Sequence, residues 1–301
     1  MSERLPALSI VPTPGKWAVC LELAQIAEER GFEGIYVPSL GEAMAMCQAL
    51  AHETASLHCG TSIVNIYSRH PADYARTAAT IHELSKGRFV FGVGVSHGHF
   101  NDALGLTTGK PLADTRAFVE KFRAAKVGEL PPLVLATLRD PMIRLAGELA
   151  EGIVFANATL SRTKHSLSVL PPAKRDDPAF FIGNMIPTCI DDDENAAAAR
   201  NRATLGFYLM LPNYRAYWKT AGYTEEMNTV EAALAAGDKN DLAVHAGDAW
   251  LADCTLFGSA AKVRDGLAAW QDAGIRTPIL VPSSTSGGQK KAVEELFAAF
   301  Y

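Results

Sequence analysis

The sequence predicts an α/β protein folded as one closed (β/α)8 barrel, the TIM-barrel fold. Three observations support this prediction. Short apolar segments alternate with segments of helical apolar spacing, and this alternation repeats eight times along the chain. Alternation of this kind is typical of parallel strands joined by crossover helices. The chain has 301 residues, of which 48% are hydrophobic, so it is long and apolar enough for a single barrel.

Eight short segments are predicted as strands because they are apolar and end at glycine, proline or polar turns. The predicted strands cover residues 8–11, 35–37, 58–65, 88–95, 133–136, 153–156 and 279–281, and one more opens at 180–182. Helices are predicted at 17–30, 42–56, 72–84, 114–125, 141–150, 161–170 and 290–299. The open mouth of the barrel is expected at the strand ends that carry Asn65, Val95, Thr137 and Asn157.

The regular alternation stops between about residues 191 and 254. Three additional helices are predicted there, at 194–211, 213–221 and 224–235. We interpret 191–254 as a helical insertion before the last βα unit of a single domain that spans residues 1–301. Five aromatic residues in the insertion either cover the barrel mouth or form a small core of their own. They are Phe207, Tyr208, Tyr214, Tyr217 and Trp218.

Composition argues against several classes of partner. The net charge is −5 and no basic run is present, so nucleic acid is not expected to bind. No apolar segment is long enough to cross a bilayer, and the first residues do not have the pattern of a signal peptide. The five cysteines are scattered, which is typical of reduced thiols rather than disulfides or a metal cluster. We therefore expect a cytoplasmic protein without a metal site.

The segment from Glu83 to His97 is the first candidate for a functional site. Gly87 follows a predicted helix, and an apolar run leads into G-V-G-V-S-H. Small residues at the carboxyl end of a parallel strand allow a ligand to approach the backbone, and ligands of α/β proteins bind at that end. A polar pair, Ser96 and His97, follows at once. The pattern indicates a binding site, although a buried strand with a glycine bend would give the same letters.

The run E-L-S-K-G-R-F-V-F-G-V-G-V, from Glu83 to Val95, resembles the signature of the bacterial luciferase-like superfamily. The resemblance is firmest over residues 21–105 and 131–158 and weak over 188–254. It implies an oxidoreductase that uses coenzyme F-420, a deazaflavin, to exchange a hydride with a small organic substrate. It also implies a homodimer. FMN is the alternative cofactor, as in the flavin monooxygenases of the superfamily.

Residues 60–71, G-T-S-I-V-N-I-Y-S-R-H-P, resemble the third strand of the deazaflavin-using members and favour coenzyme F-420 over FMN. In those relatives the strand carries a bulge with a cis peptide bond that is not followed by proline, and its backbone supports the cofactor ring. Carried onto this sequence, the bond joins Ser62 and Ile63, and both residues and Asn65 contact the cofactor. Such a bond costs about 3 kcal/mol, so it persists only where its surroundings impose it.

His97 is the predicted catalytic residue. The resemblance implies a proton-transferring group at this position, often a carboxylate, and histidine can exchange a proton near neutral pH. His99 lies two residues further on, but no Cys, Asp or Glu is suitably spaced for a metal. After the second strand, relatives that oxidise alcohols or sugar phosphates often have an acidic residue and a histidine. This chain has Pro38-Ser39-Leu40 there, which disfavours that activity and leaves Ser39 as a cofactor contact.

No P-loop or dinucleotide-binding glycine motif is present, so phosphate is expected at loop amides and helix N-termini. The resemblance implies that the loops after strands five and six hold it. The corresponding residues are Ala136, Thr137, Asn157, Ala158 and Thr159, with Arg162 supplying charge. Gly258 and Ser259 are an alternative anion site. A barrel that has lost its cofactor and acts as a binding protein is the alternative to an enzyme, since the acid–histidine pair is missing.

Overall fold

The structure is a computed structural model, and it describes residues 5–238 and 242–301. Nine parallel strands form one sheet in the described part of the chain. They are β1 (Ala7–Ser9), β2 (Gly34–Val37), β3 (His58–Asn65), β4 (Phe89–Gly94), β5 (Leu133–Ala136), β6 (Gly152–Ala156), β7 (Phe181–Ile190), β8 (Leu256–Gly258) and β9 (Thr277–Ser283).

Eight of these strands close into a barrel. Strands β1 to β6 pair in sequence order, β6 pairs with β7, β7 with β9, and β9 with β1. Phe91 is the register partner of Leu133, so the fourth and fifth strands lie in the same sheet, as expected. The predicted (β/α)8 barrel is therefore confirmed.

Fourteen α-helices and one short 3₁₀ helix are found in the described residues. They are α1 (Trp17–Glu29), α2 (Ala43–Glu53), α3 (Pro71–Leu84), α4 (Gly98–Ala103), α5 (Pro111–Arg123), α6 (Asp140–Leu149), α7 (Leu160–Ser168), α8 (Pro172–Arg175), α9 (Glu194–Leu209), α10 (Pro212–Thr220), α11 (Thr224–Ala235), the 3₁₀ helix Leu242–His245, α12 (Asp248–Cys254), α13 (Ala260–Asp272) and α14 (Gln289–Ala299). None of them is long and apolar enough to cross a membrane.

The insertion differs from the prediction toward its carboxyl end. Its three predicted helices are present as α9, α10 and α11, but α12 and the 3₁₀ helix were not predicted. The seventh strand, predicted to open at residues 180–182, begins at Phe181 and runs for ten residues to Ile190. It pairs with β6 near its start, with β9 along most of its length and with β8 at its end. Strand β8 was missed since a three-residue segment carries no periodic pattern.

Two layers of apolar residues hold the barrel together. The larger core lies between the strands and the surrounding helices, and it includes the insertion's Trp218 and Trp250. A smaller core fills the barrel interior, with residues at alternate positions of the strands. Tyr36 is its largest member, and a Cβ on Gly60 would lie 2.9 Å from the Tyr36 ring. The interior is thus a packed core beneath the mouth.

Arg88 explains part of the E-L-S-K-G-R signature at the opposite end of the barrel from the mouth. Its guanidinium donates to the carbonyl oxygens of Ala51, Thr54 and Leu57 at 2.6–3.1 Å, and to the Thr54 hydroxyl. These bonds fix the end of α2 against the start of β4. The arginine of the signature is therefore structural.

Candidate active site at the mouth of the barrel

The carboxyl ends of β3 to β6 lie side by side at the mouth. Asn65 is the register partner of Gly94, Ala136 of Val154, and Ala156 of Met185. The predicted contact residues at these strand ends are therefore brought to one rim, and Ala136 and Ala156 are partly exposed there. Ser39 is exposed in the loop that follows β2, the strand beside β3.

Strand β3 carries the expected bulge. The pairing with β4 shifts register between Thr61 and Val64, so one extra residue is accommodated. A Cβ on Gly92 would lie 2.1 Å from the Thr61 carbonyl oxygen and 2.6 Å from that of Ser62. The two glycines of G-V-G therefore make room for the neighbouring bulge. The sequence predicted that these glycines leave room for a ligand to approach the backbone. In the structure, atoms of the β3 bulge fill that room.

The Ser62–Ile63 bond is trans, which corrects the expectation of a cis bond there. No peptide bond is cis in residues 5–238 or 242–301. Trans is the lower-energy form of a bond not followed by proline, and the bulge is bridged without a cis bond. The Thr61 hydroxyl accepts from the Gly92 N–H at 2.9 Å and donates to the Gly92 carbonyl at 2.8 Å. A side chain thus replaces the ladder bonds interrupted by the bulge. The sequence analysis did not predict this role of Thr61. Its only signal was the presence of a threonine in the run G-T-S-I.

The hydroxyl of Ser62 is buried at the bulge without a hydrogen-bond partner in the described structure. Burial of an unpaired hydroxyl costs about 1–3 kcal/mol, so the position favours a polar group from a ligand. Ile63 is half-buried, and its Cδ1 lies 2.6 Å from where a Cβ on Gly94 would be. Ser62 and Ile63 therefore both lie within the bulge, three and two residues before the end of β3.

Asn65 has a different environment from the one predicted, because its side chain is engaged within the chain. Its Nδ2 donates to Asn101 Oδ1 at 2.7 Å, and its Oδ1 accepts from the Tyr67 N–H at 3.0 Å. Asn101 in turn donates to the Val95 carbonyl at 3.1 Å. Asn65 and Asn101 together fix the turn that leads from β4 to His97. Asn101 was not predicted, and nothing in its local sequence marks it.

His97 lies at the start of α4, directly after Ser96, whose φ is +58°. The imidazole is half-buried, and its ring centroid is 5.8 Å from that of Tyr214 in the insertion. Burial, and secondarily the neighbouring His99, lowers the pKa of His97 below its ordinary value. The ring makes no capping bond to α4, so a neutral imidazole is available at the rim.

The aromatic residues of the insertion combine the two roles that the sequence left open. Tyr214, Tyr217 and Trp218 are buried in the main core. They also cover the rim between β4 and β6, where Trp218 Nε1 donates to the Asn157 carbonyl at 3.3 Å. Asn157 has a φ of +54°. Its Nδ2 is buried and has no hydrogen-bond partner among the described residues.

The loop after β6 is closed by hydrogen bonds to the insertion. The Thr159 N–H donates to the Tyr217 hydroxyl at 3.0 Å, and Ala158 is buried beside it. Arg162 donates to the Thr220 carbonyl at 3.0 Å and lies 3.6 Å from the Asp140 carboxylate. In the loop after β5, by contrast, the Thr137 hydroxyl is buried without a partner in the described structure. The two predicted phosphate loops thus differ in how many of their groups are already bonded.

Gly258 and Ser259, the alternative anion site, form the start of α13. The Ser259 hydroxyl accepts from the Lys262 N–H at 3.4 Å, and Lys262 pairs with Glu194. The groups are those of an ordinary helix cap. Across the described ranges, no cluster of three His, Cys, Asp or Glu side chains is arranged to hold a metal ion.

A cavity of about 880 Å³ opens at the other end of the barrel, lined among others by Glu33, Tyr36, His58, Glu151 and Phe181. Residues at this end precede or begin the strands. Active sites of (β/α)8 barrels lie at the carboxyl ends of the strands, and the half-buried His97 lies there too. We therefore assign the candidate active site to the mouth and not to the cavity at the opposite end.

Comparison with known proteins agrees with this fold over its full length. The chain is 24% identical over 304 residues to a 5,10-methylenetetrahydromethanopterin reductase of Archaeoglobus fulgidus, covering 90% of this chain and 91% of that protein. It is 24% identical over 313 residues to a Mycobacterium tuberculosis protein provisionally named a coenzyme F-420-dependent oxidoreductase, covering 87% and 90%. The structure of a coenzyme F-420-dependent tetrahydromethanopterin reductase from Methanopyrus kandleri superimposes with a TM-score of 0.74 at 18% identity, covering 97% of both chains. Residues 7–277 match the family model of the luciferase-like monooxygenases. This chain belongs to the luciferase-like monooxygenase family.

Proposed function

We propose that the chain is a coenzyme F-420-dependent oxidoreductase that exchanges a hydride between the deazaflavin and a small organic substrate at the barrel mouth. The observation that carries the proposal is the β3 bulge, which turns the carbonyl groups of Thr61 and Ser62 over Gly92. His97 leaves the neighbouring strand at the same end. The relatives named for coenzyme F-420 or for a methanopterin reductase support the choice of cofactor.

The residues at the mouth fit a planar cofactor ring. The backbone of the bulge offers a surface beneath the opening, and the Ser62 hydroxyl is a buried group in need of a polar partner. The side chains around the opening are small, since Gly94, Ala136 and Ala156 lie on three successive strands. A bound deazaflavin would supply the hydride chemistry, and Ser62, Ile63 and the bulge backbone would hold and orient its ring.

His97 is proposed to exchange the proton that accompanies hydride transfer. Its lowered pKa keeps the imidazole neutral at pH 7, so a ring nitrogen can accept a proton from a substrate and return it in the reverse direction. The Asn65–Asn101 pair would keep the imidazole at the rim by fixing the preceding turn.

We also propose that the protein is a single-domain, cytoplasmic homodimer. The common core of the barrel and insertion supports one domain. The dimer rests on the family resemblance, and the compartment rests on the scattered cysteines and on first residues without the pattern of a signal peptide. Sedimentation equilibrium at micromolar concentration tests the dimer, and a mass of one 32.3 kDa chain would contradict it.

Equilibrium titration with coenzyme F-420, followed by the deazaflavin fluorescence, tests the proposed site. Ala156→Phe would place a ring in the mouth and is expected to weaken binding at least tenfold, since Ala156 is a small, partly exposed rim residue. Ala113→Phe, at an exposed position of α5, is the matched control and is expected to bind as the wild type does. Wild-type protein that binds no deazaflavin would favour a non-catalytic barrel.

A further inference from the structure

We propose that Asn157, together with the hydroxyls of Tyr208 and Tyr214, forms a hydrogen-bond donor site for a carbonyl oxygen of the substrate. The substrate is accordingly an uncharged, flat aromatic compound that carries a carbonyl group. Because the site lies in the same mouth, its assignment rests on the proposed function. The family resemblance, by contrast, implies that Asn157 contacts the cofactor.

The side-chain amide of Asn157 is a buried donor without an acceptor. The residue directly follows β6 and is 3% exposed. Its backbone is engaged, because its N–H donates to the Met185 carbonyl at 3.1 Å and its carbonyl accepts from Trp218 Nε1 at 3.3 Å. Its Nδ2, however, has no partner among the described residues. An unpaired buried donor costs about 1–3 kcal/mol, so the position favours an acceptor atom supplied by a ligand.

Two tyrosine side chains of the insertion lie beside this amide. The rings of Tyr208 and Tyr214 pack edge to face, with centroids 5.0 Å apart. Burial raises the pKa of both hydroxyls, so both stay protonated at neutral pH, and a smaller lowering by the Asn157 side chain places its amide close to both. The Tyr217 hydroxyl accepts from the Thr159 N–H, whereas those of Tyr208 and Tyr214 make no hydrogen bond of good geometry in the described residues. Three donor groups thus converge without an acceptor among them.

The same tyrosines lie next to the proposed proton-transfer group. The ring centroid of Tyr214 is 5.8 Å from that of His97, which is in turn 6.2 Å from that of Phe100. Phe207 of α9 lies 5.8 Å from Phe100, which is 38% exposed. Aromatic rings pack on other flat rings at centroid distances of about 4.5–7 Å. A flat aromatic body between α4 and α9 would therefore direct its oxygen inward to Asn157.

The charges around the site favour an uncharged acceptor. Arg162, in the helix that follows, lies 3.6 Å from Asp140 Oδ1 and donates to the Thr220 carbonyl, so its charge is used elsewhere. Burial, and secondarily His99, lowers the pKa of His97, and its imidazole is neutral at pH 7. The three donors are an amide and two hydroxyls, which are neutral as well. A carboxylate or phosphate would lose its hydration here without gaining a cation, whereas a carbonyl oxygen needs only neutral donors.

The test uses two probes of the same shape, 2-acetylnaphthalene and 2-isopropenylnaphthalene. They differ only in that a CH2 group of the alkene replaces the carbonyl oxygen of the ketone. Dissociation constants are measured by equilibrium dialysis, with the probe quantified by chromatography, for the full chain with and without saturating coenzyme F-420. The variants are Asn157→Gly, Tyr208→Phe and Tyr214→Phe.

Each variant has a matched control. Glycine suits position 157 because the φ of Asn157 is +54°, and Lys86→Gly makes the same change at an exposed residue with a φ of +55°. Tyr301→Phe removes a hydroxyl at an 80% exposed position. Melting curves verify that every variant is folded, and the affinity of each for coenzyme F-420 is measured on the same preparation.

We expect the wild type to bind the ketone about tenfold more tightly than the alkene, because the alkene leaves the donors unpaired. Asn157→Gly should abolish most of that preference, and each tyrosine variant should reduce it about threefold or more. Alkene affinity in the two tyrosine variants and coenzyme F-420 affinity in all three should change by less than about twofold, since neither depends on these donors. Lys86→Gly and Tyr301→Phe should behave as the wild type does.

Four outcomes would overturn the inference. Equal wild-type affinity for ketone and alkene would mean that water satisfies the donors. A ketone preference that survives in all three variants would place the carbonyl elsewhere. Equal weakening of coenzyme F-420 and ketone by Asn157→Gly would assign Asn157 to the cofactor. Binding of coenzyme F-420 but of neither probe would end the substrate assignment and leave the proposed function intact, whereas a chain that binds no coenzyme F-420 would lose both.

Discussion

His97 and His99 are two residues apart, yet their side chains lie in different surroundings. His99 is exposed and packs on Phe100, with ring centroids 4.0 Å apart. His97 turns inward to Tyr214 and is half-buried. Burial disfavours the charged imidazole and is the main cause of its lowered pKa. The inward histidine is thereby kept in the neutral form that a proton acceptor needs.

Exchange of His97 for Ala removes the proposed proton-transfer group. We expect turnover to fall about a hundredfold, at the low end of the range for general acid–base catalysis. Cofactor affinity should change little, because the bulge of β3 would still support the ring. Steady-state kinetics and deazaflavin titration of the same preparation check this. Full turnover in the variant would remove His97 from the mechanism.

Exchange of His99 for Gln removes the second cause of the lowered pKa of His97. The pKa of His97 should rise but stay below its ordinary value, because burial, the larger cause, remains. In the wild type the folded state binds fewer protons than the unfolded state, so this group lowers stability as pH falls from about 6.5 through the folded pKa. That loss should shrink in His99→Gln.

NMR titration of the His97 ring, with melting curves between pH 5 and about 8, measures both effects. An unchanged His97 pKa in the variant would show that His99 has no influence on it. His52, an exposed histidine in α2, is the matched control, and His52→Gln should leave the His97 titration unaltered.

The element that shapes the mouth is the β3 bulge, together with the glycines of β4 that lie beneath it. Thr61 spans the interruption by bonding both the N–H and the carbonyl of Gly92. Any side chain at Gly92 would meet two carbonyl oxygens at 2.1 and 2.6 Å. These oxygens belong to the backbone, which cannot move aside as the end of a flexible side chain can. The bulge of β3 therefore requires glycine at position 92.

Gly92→Ala should destabilise the protein by about 3 kcal/mol or more, since the bulge must shift to accept the methyl group. Gly128→Ala is the control, because a Cβ there meets nothing within 4 Å and the glycine does not need a positive φ. Chemical denaturation monitored by circular dichroism gives both free energies of unfolding. A loss below about 0.5 kcal/mol at Gly92 would show that the bulge is not held in this form.

The barrel was predictable from the sequence because its signal is periodic and repeats along the chain. The site was predictable only in part. Strand ends that the sequence marks do meet at one rim, but their partners come from far along the chain. Ser161 bonds Asp253 across 92 residues, and Thr61 bonds Gly92 across 31. Such pairings follow from the closed topology. No local pattern could therefore reveal that the N–H and the hydroxyl of Ser161, at the start of α7, are already bonded to Asp253.

The insertion is joined to the barrel through one continuous core. Trp218 and Trp250 are fully buried, with ring centroids 5.0 Å apart. Trp250→Ala should therefore lower the free energy of unfolding of the whole protein by about 3–5 kcal/mol. Val244→Ala, at a 63% exposed position of the same insertion, should change it by less than about 0.5 kcal/mol.

Tryptophan fluorescence and far-ultraviolet circular dichroism should report the same unfolding midpoint in the wild type and in Trp250→Ala. Two separated transitions would mean that the insertion folds independently of the barrel. That result would contradict the proposal of a single domain.

The mouth of the barrel is proposed to bind a deazaflavin in preference to a flavin. The most direct measurement is a pair of equilibrium titrations, with coenzyme F-420 and with FMN, on the same wild-type protein in the same buffer. We predict that FMN binds at least tenfold more weakly, a difference of about 1.4 kcal/mol. Equal affinities, or tighter binding of FMN, would contradict the assignment of the cofactor.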